Sequence, residues 1–294
     1  MDTTLRALSR HEQLNFLLTN RIPRHALTRF VGWLSRIDSP LLARLLIGIW
    51  RLFTDLDLSD SETQSFRSMQ GCFTRRLKPG ARPLDLRREI VASPCDAVVG
   101  ECGQIEGQTV FQAKGFPYEL TDLIPDPAVR ETYRDGRYVT LRLRSSMYHR
   151  FHAPVDCEVS ELTYVSGDTW NVNPIALKRI EKLYCLNERA VIPLRECLTH
   201  GSLCLVPVAA ILVASMRFTG LEPELNLDYA GPNRLRWHAR FGKGDEMGYF
   251  QQGSTLLLFA TGNYALCEGI APGTTIRMGQ ALLADTTLAA PEAP

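Results

Sequence analysis

The sequence predicts an α+β protein, a helical amino-terminal segment followed by a β-rich core. Three observations carry that prediction. Leu27, Phe30, Val31 and Leu34 recur at helical spacing. Beyond residue 90, short apolar and β-branched runs alternate with glycine-bearing turns. Between the two regions, from Asp55 to Asp85, the chain is polar and carries Phe66 and Phe73 as isolated anchors.

The amino-terminal segment, residues 1–55, holds apolar stretches at Leu14–Leu18, Leu27–Leu34 and Leu41–Phe53, the last broken by Arg44 and Arg51. Up to Phe53 it has eight arginines against Asp2, Glu12 and Asp38. No run reaches the ~18 apolar residues that spanning a bilayer requires. A basic, Trp-containing, amphipathic helical segment suits the membrane interface, the plain alternative being an ordinary helical layer packed on the core. The segment ends before a basic stretch, Phe73-Thr74-Arg75-Arg76-Leu77-Lys78-Pro79-Gly80-Ala81-Arg82-Pro83, with a turn signal at Pro79-Gly80. That loop either holds an anionic head group or serves as a solvated connector.

Strands are expected at 90–92, 97–100, 109–113, 138–143, 157–159, 203–208, 211–215, 256–259 and 276–283. Residues 118–123 and 174–183 read as short helical inserts, and the tail beyond Asp285 as loose.

Bulk composition excludes several classes. A net charge of +1 gives the molecule no electrostatic reason to bind nucleic acid. Eight cysteines without a Cys-x-x-Cys pair give little support to zinc, and with no signal-peptide pattern they read as reduced thiols facing the cytosol.

The chemistry-bearing residues lie in three places. Gly253-Ser254-Thr255 runs straight into Leu256-Leu257-Leu258-Phe259, so a hydroxyl follows the least hindered carbonyl a chain offers. His149 and His152, in Tyr148-His149-Arg150-Phe151-His152-Ala153-Pro154, stand three apart. Pro154 disfavours a helix there, so proton transfer from a turn at a strand end suits them better than a shared metal. Asp96, in Ser93-Pro94-Cys95-Asp96, enters a buried run and needs a partner, for which a histidine is natural. A serine, two histidines and an aspartate can make a hydroxyl nucleophilic. Each also has a plain reading, as turn, packing or capping residue. Cys95 reads as packing. No Gly-x-Ser-x-Gly elbow surrounds Ser254, which disfavours a serine hydrolase.

Taken together and in order, these segments resemble the phosphatidylserine decarboxylase family. The basic segment 73–83, the Asp96 box, the histidine box and Gly253-Ser254-Thr255 each match a motif of that family, and Gln112-Ala113-Lys114-Gly115 and Asn187-Glu188-Arg189 fall where it has similar residues. The likeness covers roughly residues 65–285. Two departures stand out: Ala97 where the family has glycine, and Gln252 where it has an apolar residue. A methyl at 97 would crowd a turn of positive φ.

The resemblance implies a self-processing proenzyme with a pyruvoyl cofactor made from Ser254. Asp96 would orient His152, His152 would take the Ser254 proton, and the backbone would break between Gly253 and Ser254. The products would be a β chain, 1–253, and an α chain, 254–294. The pyruvoyl ketone would then hold the substrate amine as a Schiff base while carbon dioxide leaves, and His149 would return a proton to the α-carbon. Residues 1–55 would be a membrane-associating segment and 56–294 the pyruvoyl decarboxylase domain. The implied partners are a phospholipid substrate, the membrane surface and the chain's own β and α pieces, with a homodimer also admitted. The implied location is peripheral, on the cytoplasmic face of the cell membrane. Open at this point are a decarboxylase of another amino-acid-like substrate and an unprocessed membrane-associated binding protein.

Overall fold

A computed structural model describes residues 23–113, 116–197, 201–211, 215–251 and 254–288. It is β-rich, with short helices at the amino-terminal end and in connections. Helix α1 (Arg24–Arg36) and helix α2 (Pro40–Arg51) bear out the helical expectation for the part of 1–55 that is described. Ser39 caps α2 by accepting from the Leu42 amide, and Pro40 sits at its first position, where a missing N–H costs nothing. Helix α2 buries Ala43, Ile47 and Trp50 against Leu58 and against Cys72 and Phe73 of α3 (Met69–Phe73). Trp50 stacks on Phe73 with ring centroids 4.3 Å apart.

The core is an eight-stranded antiparallel sheet in the order β12-β7-β8-β9-β14-β5-β2-β16. These strands are β2 (Ala97–Gln104), β5 (Arg137–Leu143), β7 (Cys157–Val165), β8 (Arg189–Glu196), β9 (Ser202–Ala209), β12 (Arg234–Phe241), β14 (Ser254–Ala260) and β16 (Thr275–Ile276). Strand β14 is buried along its whole length and pairs residue for residue with β5 and β9. Its uninterrupted apolar run is what a strand covered on both faces requires. At one margin β12 turns Arg234, Arg236 and Arg240 to solvent and Trp237 inward, a charged edge that discourages pairing with another chain.

A second sheet, β11-β10-β13-β6, comprises β6 (Arg150–His152), β10 (Ser215–Phe218), β11 (Leu225–Asn226) and β13 (Glu246–Phe250). Strands β1 (Ile90–Ala92), β17 (Ala281–Asp285) and β15 (Tyr264–Leu266) form a third, and β3 (Thr109–Ala113) with β4 (Phe116–Glu119) a hairpin.

Three expectations change. The insert at 118–123 is half strand: β4 ends at Glu119 and helix α4 covers only Leu120–Leu123. Helix α5 (Pro127–Thr132) follows it, and the insert at 174–183 resolves into α6 (Pro174–Leu177) and α7 (Leu183–Leu186). The run 276–283 is not one strand, because Gly279 adopts φ +89° and divides β16 from β17. A Cβ there would lie 2.5 Å from the Pro83 carbonyl oxygen, so only glycine permits the turn. The strand expected at 211–215 falls largely on 212–214, outside the described residues.

Candidate active site

Strand β13 ends at Phe250, and Gln251 follows it toward β14, whose first residue is Ser254. Gln252 and Gly253, on the carbonyl side of the expected scissile bond, lie outside the described residues. The Cα partners of Ser254 are Leu143 on β5 and Ala209 on β9, so it enters the sheet between its two central neighbours. Its hydroxyl is fully buried and has no hydrogen-bond partner among the described residues. Leaving such a group unpaired costs ~1–3 kcal/mol, which marks it as held for a purpose other than stability. The residue borders a cavity of about 320 Å³ that Arg142, Arg144, Asn171 and Asn173 also line.

His149 precedes β6, and its carbonyl accepts from the Phe250 amide at 2.9 Å. His152 closes β6 and is therefore in a strand rather than on a turn. The His149 Nδ1 atom lies 2.8 Å from the Met147 carbonyl, to which it donates, so Nε2 carries the lone pair. That nitrogen is buried and unpartnered, like the serine hydroxyl. Burial and the nearby Arg75 guanidinium push the His149 pKa down to about 4, so the ring is neutral at pH 7. For His152, Nδ1 donates to the Gly244 carbonyl (2.8 Å) and Nε2 accepts from the Tyr148 hydroxyl (3.0 Å). Burial lowers its pKa too, opposed by the Gly244 contact and by Glu246.

Asp96, expected to orient His152, makes no direct bond to it in this arrangement. Both ring nitrogens of His152 are taken, and Asp96 is paired with Arg82. The guanidinium forks onto the carboxylate, Nε to Oδ1 at 2.8 Å and Nη2 to Oδ2 at 2.6 Å, while the Met278 amide donates to Oδ1 at 2.9 Å. Asp96 reaches His152 and His149 through its field alone, raising the basicity of both. Arginine won because it can fill both carboxylate oxygens at once.

Two arginines of the basic segment 73–83, Arg75 and Arg82, are held inside the protein, while Arg76 and Lys78 are exposed. Arg75 donates to the Cys72 and Ser146 carbonyls, Lys78 to the Ser59 carbonyl, and Arg82 to Asp96 and Asp60. Ala97 opens strand β2 and is absent from the residues of positive φ, so its methyl crowds nothing. Cys95 is buried and its thiol pKa is raised well above the ordinary value by burial, in keeping with packing.

Two lines of contact join the helical layer to this region. Phe73, stacked on Trp50, meets the His149 ring edge-on at 5.6 Å. The Gln251 side-chain oxygen accepts from Arg36 of α1 and from Gln70 of α3. The signal for Gln251 was its place two residues before Gly253.

Glu188 was quoted in the sequence only as part of a likeness. Its carbonyl accepts from the Ala209 amide, which places it across one strand from Ser254. Oε1 accepts from the Tyr164 hydroxyl at 2.7 Å, and Oε2 is buried without a partner. Burial raises the Glu188 pKa from 4.5 to about 7, with the Asp228 charge adding to the rise and the Tyr164 bond opposing it. The folded protein thus binds this proton more tightly than the unfolded chain. The associated stability is full below pH ~4.5 and is lost as pH rises through ~7. Glu188→Gln, which cannot ionise, is expected to gain stability relative to the parent by up to ~3 kcal/mol between pH 5 and 8. Urea midpoints at the two pH values measure it, and an unchanged difference would refute the assignment.

Fold and site together define a β-sheet enzyme core whose central strand opens on a buried serine hydroxyl without a partner among the described residues, with two histidines of lowered basicity at and just before β6 of the second sheet. A family profile described as phosphatidylserine decarboxylase matches residues 69–284. The chain belongs to that family. It is 36% identical over 270 residues to the phosphatidylserine decarboxylase proenzyme of Anaeromyxobacter sp. (strain K), covering 89% of this chain and 94% of that one. The proenzymes of the same name from Shewanella baltica and Methylococcus capsulatus are each 33% identical, over 287 and 274 residues, with 92% and 89% of this chain covered and 96% and 93% of theirs.

Proposed function

We propose that this protein is a phosphatidylserine decarboxylase made as a precursor, which cuts its own backbone between Gly253 and Ser254. The observation that carries this reading is the orphaned Ser254 hydroxyl at the head of β14, in a chain of this family. In the proposed maturation, His152 takes the Ser254 proton as the Tyr148 hydroxyl gives up Nε2. The serine oxygen then attacks the Gly253 carbonyl, and the amide becomes an ester. Elimination expels the Gly253 carboxylate and leaves a dehydroalanine at 254, and water releases its nitrogen as ammonia. A β chain of 1–253 and an α chain of 254–294 result, the latter beginning with a pyruvoyl group.

A buried site with an unsatisfied hydroxyl at the converted position fits that group. Once formed, it supplies the electron sink that no ordinary side chain provides for loss of carbon dioxide from an amino acid. The remaining work belongs to side chains. His149 Nε2, neutral and unoccupied, takes a proton from the arriving ammonium and delivers one to the α-carbon after carbon dioxide departs. Asp96 holds Arg82 and the Met278 turn in place and biases both imidazoles by its charge. Denaturing electrophoresis with mass measurement tests the reading: two chains divided at 253/254 support it, and a single intact chain in an active preparation defeats it. His149→Ala is expected to cleave normally yet lose at least a hundredfold in decarboxylation, by the scale of general acid–base catalysis. Parental turnover in that variant would remove His149 from the reaction.

Residues 1–55 are proposed as the membrane-associating segment and 56–294 as the decarboxylase domain, with the protein peripheral on the cytoplasmic face. No helix among the described residues is long and apolar enough to cross a bilayer. The helical layer turns Phe30, Trp33, Leu41, Leu45, Ile49, Leu52 and Phe53 to solvent, with Trp33 62% and Leu41 77% exposed. Arg24, Arg29 and Arg36 pair with Asp168, Asp228 and Glu224 and so tie α1 to the core. What remains for lipid is that apolar face with Arg44 and Arg51, a pattern for lying in the interface. Replacing Trp33, Leu41 and Leu45 together by serine is expected to cut vesicle binding at least tenfold, at ~1.5 kcal/mol or more per side chain. Flotation with anionic vesicles reads this, and undiminished binding would show that another surface docks.

A further inference from the structure

Gln251 stands two residues ahead of Gly253, and its side chain is held by the helical layer. The Oε1 atom accepts from Arg36 Nη2 at 3.0 Å and from Gln70 Nε2. Arg36 is the last residue of α1 and Gln70 the second of α3. The same Arg36 nitrogen donates to Glu224 Oε1, which also accepts from the Ser215 hydroxyl at 2.7 Å. The Ser215 carbonyl in turn accepts from the Gln251 amide at 3.1 Å, so the bonds close a ring. Gln251 is 2% exposed, and a buried amide oxygen with two donors is fixed in place. Just before it, the Phe250 amide donates to the His149 carbonyl at 2.9 Å. The proposed maturation steps use none of the Arg36, Gln70 or Gln251 side chains.

Both flanks of the Gly253–Ser254 bond are therefore anchored. On one side the chain is fixed at Phe250 and Gln251, and on the other Ser254 is in register with Leu143 and Ala209. Three Cα steps join Gln251 to Ser254, a reach of at most ~11 Å. So short a tether passes any shift of one anchor to the peptide between them. Attack of a serine oxygen on the carbonyl just before it closes a five-membered ring, a geometry that a free backbone visits rarely. The Oγ–C bond forms, the C–N bond breaks, and the hydroxyl proton ends on the freed nitrogen. Such a step depends on holding the reacting atoms ready for attack, and ~1 Å of misplacement can cost ~100-fold. Resting on the function proposed above, we infer that Arg36 and Gln70 are positioning residues for self-cleavage, acting on the Gly253–Ser254 bond through the Gln251 side chain. Neither bonds to His152 or to the Ser254 hydroxyl among the described residues, so they supply geometry and no proton. The helical layer thereby governs how fast the precursor matures, apart from any contact with lipid.

The test follows the full chain made by cell-free translation, sampled over time on denaturing gels with and without hydroxylamine, which cuts the ester. Gln251→Leu keeps the bulk and removes the acceptor. It is expected to slow the appearance of the two chains, and of the hydroxylamine-cut ester, at least tenfold. Arg36→Met and Gln70→Met should each slow both about fivefold. Arg36→Lys, which keeps a donor, should recover part of that loss. A second arm needs no cleavage. In the Ser254→Ala chain, hydrogen exchange read by mass spectrometry should show the Phe250 and Gln251 amides about tenfold faster in Gln251→Leu, with Leu256–Phe259 unchanged. A merely structural role would lower the urea midpoint and quicken exchange along β14, while the chains that fold cleave at the parental rate. That result would overturn the inference, as would parental cleavage in the chain carrying both Arg36→Met and Gln70→Met. Failure of the parent chain to cleave would count against the proposed function, and the exchange arm would then decide whether these side chains hold the segment.

Discussion

Ser254→Ala is expected to remain a single 33.0 kDa chain, to decarboxylate nothing, and to unfold no more readily than the parent. The first two outcomes follow because the hydroxyl is both the nucleophile for cleavage and the source of the ketone. The third is the sharper one. A serine that served the fold would have a hydrogen-bond partner, and its loss would cost stability. Here the buried oxygen has none among the described residues, so alanine removes an unmet polar group and should leave stability unchanged or higher by ~1 kcal/mol. Electrophoresis under denaturing conditions and thermal unfolding together read the result. Two fragments from the alanine variant, or a marked drop in Tm, would show that the hydroxyl has a different employment.

Arg82→Ala is expected to be the most destabilising single change near the site, at ~3–5 kcal/mol, because it strands the buried Asp96 carboxylate. Its guanidinium also bonds Asp60 and the Ala81 carbonyl, so the loop 79–83 would loosen with it. Lysine should not rescue, since an ammonium cannot fork onto both oxygens. The informative variant is double. Arg82→Met with Asp96→Leu removes both charges and should recover most of the stability, as apolar replacements of buried pairs often do. It should not recover cleavage if the Asp96 charge biases His152. Urea midpoints and the rate at which the two chains appear separate these effects. Parental cleavage in the double variant would confine Asp96 to a structural role.

Much of the core was legible because burial leaves a strong pattern. Strand β14, Ser254–Ala260, is covered on both faces, and its apolar run Leu256–Phe259 was legible as a buried strand. Strand β12 was not read, since Trp237 is its only fully buried large anchor before Phe241 and the rest alternates arginines with half-buried residues. Strand β8 was hidden by Arg189, a buried guanidinium that donates to the Asp122, Leu123, Cys185 and Asn187 carbonyls and so looks charged without being exposed.

In the site, local order carried the residue types but not their partners. The Arg24, Arg29 and Arg36 pairs join residues 144, 199 and 188 positions apart, a distance across which no spacing rule operates. Arg82 was in view as a basic-loop residue 14 positions from Asp96, and its neighbours pointed to an outside anion rather than an inside one. A basic loop that packs against buried carboxylate reads the same, in one dimension, as a basic loop that meets a phosphate.

Strand β14 is laced on both sides, seven residues to β5 and seven to β9. A break in the backbone just ahead of it would therefore sever the polymer without dividing the body. The short piece would stay where it folded, since withdrawing it means unzipping the middle of the largest sheet. The new chain end would inherit the rigidity of an interior strand, with no crosslink needed to keep a reactive terminus aimed.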